Sequence, residues 1–474
     1  MARYLTTTLP YVNADPHIGF ALELLQADAL ARTWRLQGED VFFSTGVDEH
    51  GQKIWEAAQK NGQDVQAYVD HYASEFEKLK GALSISNDAF IRTTNEAHIK
   101  AAQEMWRRCS DAGDIYKKSY EGQYCVGCEA YKTERDLNEE GKCLVHPHLE
   151  LQTIEEENYF FKLSKYQAPL LEYLKRSESM VPEWRREEAV KFVEAGLEDF
   201  SISRDAKKLA WGIPVPGDDT QVMYVWFDAL INYISTLGWP HDEKFNTYWQ
   251  NGTVVQVAGK DQVRFQSIMW QAMLMSAQIK NSDTVFYHGF ITSGGQKMSK
   301  SLGNVINPYE LVEKYGTEAT RYLLLRHVHP VEDSDVTWER LDEWYTANLV
   351  NGVGNLVSRV MKLAEEHLDP VALNEADTEI ASVFIEHINA FSFNEALDYI
   401  FEMVGRGDAF MTEREPYKKI KTDDKEEAKA DIETLVRQVA SIGAHLAAFM
   451  PETSEKILAA VKENKKPENL FPRL

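Results

Sequence analysis

Residues 3–9 alternate in polarity and are rich in Thr, a pattern that suits a β-strand. A turn-rich run, Pro10-Tyr11-Val12-Asn13-Ala14-Asp15-Pro16, leads to His17. From Ile18 onward, Leu22, Leu25, Ala29 and Leu36 recur at helical spacing. Residues 40–46 then read as a buried strand that ends in the loop Val47-Asp48-Glu49-His50-Gly51. Strand, helix and strand in this short order commit the chain to a parallel sheet with right-handed crossovers. Ligands of such sheets bind outside the carboxyl ends of the strands, so His17 and Asp48 are predicted at that edge.

Strand character returns at residues 253–258, which end at Gly259-Lys260-Asp261, and again at 284–291, which carry His288. The second of these feeds Lys297-Met298-Ser299-Lys300-Ser301. The sheet is thus predicted to be split, with a long insertion between its halves. Beyond about residue 336 the pattern is helical, with Leu349, Val353, Leu356, Val360 and Leu363 on one face. Residues 413–431 are dense in charge and are expected to form a solvated helix pair with its connection.

At 474 residues the chain suggests two to four folding units. It has no apolar run of about 18 residues, which excludes a membrane-spanning helix. Its first residues lack the apolar stretch of a secretory leader, so a cytoplasmic location is expected. The net charge of −24 weighs against a broad nucleic-acid surface, although a local basic track can coexist with an acidic whole.

Four cysteines are too few for a disulfide framework. Cys109 stands apart and is expected to be a buried thiol. The others form Cys125-x-x-Cys128 and Cys143-x-x-His146, two close donor pairs separated by a loop within the polar insertion 115–160. Each pair spans a tight turn, and two facing turns make a tetrahedron suited to Zn2+. Four protein donors leave no open position, so the predicted role is structural. His148 fits the paired spacing less well.

His17 and Gly19 at one strand–helix turn, with Lys297 and Lys300 some 280 residues later, describe one ATP site built from two stretches. The pair resembles the signature of class I aminoacyl-tRNA synthetases. That resemblance implies attack of an amino-acid carboxylate on the α-phosphorus of ATP, with pyrophosphate leaving. No protein nucleophile is required, so catalysis is positioning plus stabilisation of phosphate charge. His17 would donate to the phosphates, Gly19 and Gly259 would let the nucleotide approach the backbone, and Asp261 would hold the ribose. His288 would complete the ATP edge, and Lys300, supported by Lys297, would close over the phosphates with Mg2+. A tRNA terminal hydroxyl would then take the aminoacyl group.

Three further segments, Thr8-Leu9-Pro10-Tyr11-Val12-Asn13, residues 45–54 and Tyr224-Val225-Trp226-Phe227-Asp228-Ala229-Leu230, are similar to those of methionyl-tRNA synthetases, and the similarity covers nearly the whole chain. Arg204 sits in a further segment of that pattern. The implied partners are ATP, L-methionine and tRNA(Met), with no membrane partner and a monomer expected. Asp48 would pair with the substrate ammonium, and Leu9, Tyr11, Trp226, Ala229 and Tyr233 would line the thioether pocket. Gln262 and Gln266 belong to the same pocket but stand where an aliphatic residue and a His are common in the family. Phe20 replaces a second His of the first motif. Asn355 and Arg359 match anticodon-reading positions, whereas His445 falls where some members have a base-stacking Trp.

The implied fold class is α/β: a split Rossmann-like parallel sheet, an inserted zinc knuckle, and an all-α anticodon-binding bundle. The implied divisions are 1–112 and 223–290 for the halves of the catalytic domain, 113–222 for the insertion with its knuckle at about 120–150, 291–335 for the lysine-loop region, and 336–474 for the helices. Two rivals remain open: a class I synthetase for another apolar amino acid, and a catalytically weakened tRNA-binding paralogue. The length leaves no room for the editing insertion expected of leucine, isoleucine and valine enzymes.

Overall fold

The computed structural model describes residues 2–132, 134–298 and 304–474. The chain divides into two compact units. The first comprises Met1–Pro16, Glu39–Lys78 and Asn87–Tyr287, and the second His17–Gly38, Leu79–Ser86 and His288–Leu474.

A six-stranded sheet organises the first unit. Its order across the sheet is Ala89–Arg92, Asp40–Val47, Ala2–Thr6, Thr253–Gly259, Thr284–His288 and Met180–Val181. The opening strand pairs in parallel with both Asp40–Val47 and Thr253–Gly259, which lie far apart in sequence. The early strands and the late ones therefore form two halves joined at Ala2–Thr6 and Thr253–Gly259, as a split sheet requires. Tyr4, Trp249, Trp270 and Tyr287 are buried in the core of this unit, and each such side chain contributes ~1.5–3 kcal/mol through area removed from water. That packing holds the strand ends to which the site residues are attached.

Within the insertion, Ile115–Cys125 and Gln152–Phe161 form a long antiparallel pair flanked by Ala130–Lys132 and Phe200–Ser201. A second small sheet joins Pro214–Val215, Asp218–Met223 and Ser203–Asp205.

In the second unit the helix Ile18–Leu36 is buried on almost every face, as expected for a helix enclosed by its neighbours rather than laid on a surface. The bundle contains Thr317–His327, Asn355–His367, Phe393–Arg414, Lys425–Leu446 and Pro451–Glu463. Residues 413–431 hold the end of one helix, the short helix Pro416–Lys419 and the start of the next.

The strand expected over 284–291 is interrupted. It stops at His288, and Ile291–Ser293 begins a separate sheet with Gln296–Lys297 and Ser334–Asp335. The break falls at Gly289, where a Cβ would sit 2.3 Å from the Glu332 carbonyl carbon. The backbone of the incoming segment thus occupies the space a continuing strand would need. Gly294 and Gly295, both at positive φ, close the hairpin between Ile291–Ser293 and Gln296–Lys297, which is the two-residue turn that fits strand twist. No helix among the described residues is long and apolar enough to cross a membrane.

Candidate functional site

In the first unit, the carboxyl end of Asp40–Val47 delivers Asp48 against Tyr11 through an isolated parallel bridge. The Asp48 amide donates to the Pro10 carbonyl at 3.0 Å, and the Val12 amide donates to the Asp48 carbonyl at 3.2 Å. The Asp48 side chain is 2% exposed and accepts from the His50 amide at 3.2 Å and the Thr93 hydroxyl at 3.5 Å. Among the described residues no cationic side chain pairs with it. Burial pushes its carboxyl well above the usual range, and Asp228 adds to the shift. A buried acid without its own counterion is costly to ionise until a cationic group meets it.

Tyr11, the bridge partner of Asp48, belongs to a set of aromatic and amide groups. Tyr11 and Trp226 meet edge to face, with centroids 5.9 Å apart, and Trp226 stacks on Phe265 at 3.7 Å. The Tyr233 hydroxyl donates to Gln266 Oε1 at 2.8 Å. Three buried polar atoms here, Tyr11 Oη, Trp226 Nε1 and Gln266 Nε2, have no hydrogen-bond partner. Buried polar atoms are normally satisfied, so these three mark a place for a ligand or water. Ala229 is buried beside this group in sequence, and Leu9 is half-buried. Gln262 behaves differently. It is half-buried, and its amide donates to Asp261 at 3.0 Å. Gly259 ends its strand in a buried position, and Asp261 just beyond is exposed.

Sequence reasoning missed the layer that holds these residues. Asp228 is fully buried between His50 Nδ1 and His98 Nε2, each at 2.7 Å, and Ser235 Oγ lies 2.8 Å from His98 Nδ1. Burial alone would raise the Asp228 carboxyl, but the two imidazoles hold it below its ordinary value. Trp211 Nε1 donates to the Glu49 carbonyl at 2.6 Å, and Arg92 Nε donates to the Glu49 carboxylate at 2.6 Å. His50 and Asp228 fall inside segments already singled out by sequence, whereas His98 carries no local signal.

The donor atoms of Cys125, Cys128, Cys143 and His146 lie within 4.8 Å of one another. Cys128 Sγ is 3.5 Å from Cys143 Sγ and 3.1 Å from His146 Nδ1. A tetrahedron with metal–sulfur bonds of about 2.3 Å has edges of roughly 3.8 Å, so the four donors fit one metal ion. Gly127 permits the approach of the two turns, since a Cβ there would meet the His146 ring at 2.8 Å. His148 is not one of the four, and its ring stands 6.0 Å from that of His146.

In the second unit, His17 is the N-cap of Ile18–Leu36, and its Nδ1 accepts from the Phe20 amide at 3.3 Å. The exposed imidazole folds over Gly19, where a Cβ would meet it at 3.0 Å. Phe20 is 5% exposed, so the residue in place of the second His packs into the core. His288 is buried, with Nε2 3.0 Å from Glu23 Oε2. Lys297 lies on the strand that follows the glycine hairpin. Lys300 lies outside the described residues.

Asn355 is exposed at the first turn of Asn355–His367, and Arg359 follows one turn later, 3.5 Å from Asp408. A cavity of about 350 Å³ beside Arg359 is also lined by Lys362, His367, Tyr417 and Lys421. His445, in contrast, is 2% exposed, and its Nε2 accepts from the Ala381 amide at 3.0 Å. It cannot stack on a base; Tyr417 is the half-buried aromatic on that basic cavity.

The family profile described as tRNA synthetases class I (M) matches residues 3–153 and 139–361. The methionine–tRNA ligase of Thermotoga maritima is 39% identical over 483 residues, covering 98% of this chain and 76% of that relative. The Brucella suis methionine–tRNA ligase is 40% identical and covers 96% of this chain and 90% of its own. Among solved structures, Mycobacterium tuberculosis methionyl-tRNA synthetase bound by methionyl-adenylate aligns with a TM-score of 0.90 at 35% identity, covering 100% of this chain and 99% of that one. With the sequence, the sheet and the donor cluster all in agreement, the chain belongs to the methionine branch of the class I tRNA synthetases.

Proposed function

We infer that this chain activates L-methionine with ATP and transfers the methionyl group to tRNA(Met). The observation that carries this reading is Asp48, a buried carboxylate without a cation, set beside the unsatisfied polar atoms of Tyr11, Trp226 and Gln266. Asp48 receives the substrate ammonium, and its carboxylate is held in place by the His50 amide. Leu9, Tyr11, Trp226, Ala229 and Tyr233 enclose the side chain, where aromatic edges suit a polarizable sulfur. Gln266 offers an N–H donor to it, because its oxygen is already taken by Tyr233. Gln262 acts through Asp261 at the ribose rather than on the thioether.

The methionine carboxylate attacks the α-phosphorus, a new P–O bond forms, and the bond to pyrophosphate breaks. His17 and Gly19 take the phosphates, Gly259 and Asp261 the nucleoside, and His288 steadies that edge through Glu23. Mg2+ accompanies the ATP. Lys297 and Lys300 neutralise charge on the departing pyrophosphate. Lys300→Ala is expected to lower pyrophosphate exchange by about 100- to 1000-fold, the usual loss for one electrostatic donor. Its circular dichroism should match wild type, and near-normal exchange would remove the assigned role. Asn355 and Arg359 contact the anticodon, with Tyr417 as the stacking surface in place of His445.

Cys125, Cys128, Cys143 and His146 would hold Zn2+, which would cross-link the two turns in a structural role. Protein purified without chelator should contain about one zinc per chain, and removing it should lower the melting temperature. Elemental analysis showing no metal would refute the site.

Methionine-dependent ATP–pyrophosphate exchange, followed by charging of tRNA(Met), tests the whole reading. Exchange with methionine supports it. Exchange with only another apolar amino acid would favour a different class I specificity, and exchange with none would favour the binding paralogue.

A further inference from the structure

The knuckle does more than hold its own turn. Glu129 directly follows the donor Cys128, and its backbone is in the left-handed region at φ 48°. Few residues other than glycine are placed there without a reason. Its side chain is 1% exposed. The carboxylate reaches the helix Gln52–Lys60, where Oε1 accepts from the Lys53 amide. Oε2 accepts from the Tyr124 hydroxyl.

The Lys53 amide is one of the donors that a helix cannot satisfy from within. The residue before the helix, Gly51, has no side chain to cap it. Glu129 therefore supplies the cap from 76 residues away, with the charge sign that a helix N-terminus favours. The fit is close, since a Cβ on Gly51 would lie 3.2 Å from Glu129 Oε1.

That helix start is the continuation of the Asp48 loop. Only Glu49, His50 and Gly51 intervene between Asp48 and Gln52, and the His50 amide donates to the Asp48 carboxylate. Tyr124 makes a second connection. It packs with Tyr224 and Val225, and Tyr11 and Trp226 pack against that cluster.

We propose that Glu129 is a positioning residue through which the knuckle sets the Asp48 loop, so that amino-acid affinity depends on the order of the knuckle although no knuckle residue touches the substrate. The inference rests on the methionine-activating function given above. It separates Glu129 from the metal donors of the turn that precedes it, because its side-chain hydrogen bonds go to the helix start and to Tyr124.

The test uses the full chain carrying Glu129→Ala or Glu129→Gln, with zinc content, melting temperature and exchange kinetics measured on each. Glu129→Ala is expected to keep about one zinc per chain and to raise the methionine KM roughly tenfold or more. The ATP KM should stay within about twofold and kcat should change less than the methionine KM. Glu129→Gln keeps an oxygen for the Lys53 amide and should recover most of the affinity. An unchanged methionine KM in Glu129→Ala would overturn the proposal. So would equal rises in both KM values with loss of zinc, since that is what general loosening of the insertion produces. If wild-type protein shows no methionine-dependent exchange, the functional reading fails first and this inference falls with it.

Discussion

Asp48→Asn is expected to lower kcat/KM for methionine by about 100-fold or more while leaving the protein at least as stable as wild type. Hydrogen bonds to a charged group are worth ~1.5–3 kcal/mol, and the substrate ammonium would also lose its counterion. Each 1.36 kcal/mol is a factor of ten. Stability should move the other way. Burial, aided by Asp228, raises the Asp48 carboxyl in the folded ligand-free protein. A raised carboxyl contributes stability below its unfolded value, and that contribution is lost as pH rises through the folded value. Ionising Asp48 in the folded ligand-free protein is therefore costly, and a neutral amide removes that cost. The gain should be on the order of 1 kcal/mol, or roughly 2–4 °C in melting temperature for a domain of this size. The methionine KM of wild type should rise as pH falls through the raised carboxyl value, and that dependence should vanish in the variant. A less stable Asp48→Asn protein with normal exchange would contradict the assignment on both counts.

Arg321→Met should produce the largest loss of stability. Arg321 and Asp28 are both 0% exposed, with Nη2 2.6 Å from Oδ2. The same guanidinium donates to the carbonyls of Phe449 at 2.6 Å and Leu83 at 2.9 Å. It thus ties the helix Ile18–Leu36 to the segment 79–86 and to the turn before Pro451–Glu463. Methionine restores volume but takes from buried Asp28 one of its two guanidinium partners, leaving Arg32 at 2.7 Å, and orphans the carbonyls of Phe449 and Leu83, a loss of ~3 kcal/mol. That corresponds to a fall of about 10 °C in the melting of this unit. Burial by itself would raise the Asp28 carboxyl, but Arg321, Arg32 and Ser86 hold it below its ordinary value. Its contribution is therefore present above the unfolded carboxylate range and lost as pH falls through the folded value. The double variant Asp28→Asn/Arg321→Met should lose less than the single Arg321 variant, because the fully buried carboxylate is gone and the Arg32 it leaves is partly exposed to solvent. Calorimetry on the three proteins separates these outcomes.

The strand end that carries Asp48, the helix cap at His17 and the cluster of four Cys and His side chains were legible in sequence because each sits in a short segment whose geometry is local. A strand end, a helix cap and a Cys-x-x-Cys turn need only neighbouring residues to define them. The interrupted strand at Gly289 was not legible, because the reason for the break is the Glu332 backbone, more than forty residues onward. The place of His445 was not legible either, because packing against Phe384 and the Ala381 amide, 64 residues away, is what buries it.

The chain by itself determined the parallel sheet, the Cys/His cluster and the family, since periodicity, donor spacing and short motifs are properties of consecutive residues. The tertiary structure alone decided which groups support that site. The pairing of Asp228 with His50 and His98, the reach of Glu129 to Lys53, and the burial of Arg321 against Asp28 each join residues from 76 to 293 positions apart. Such contacts are set by desolvation, which makes a buried charge costly unless a partner meets it, and a linear pattern does not record which partner will.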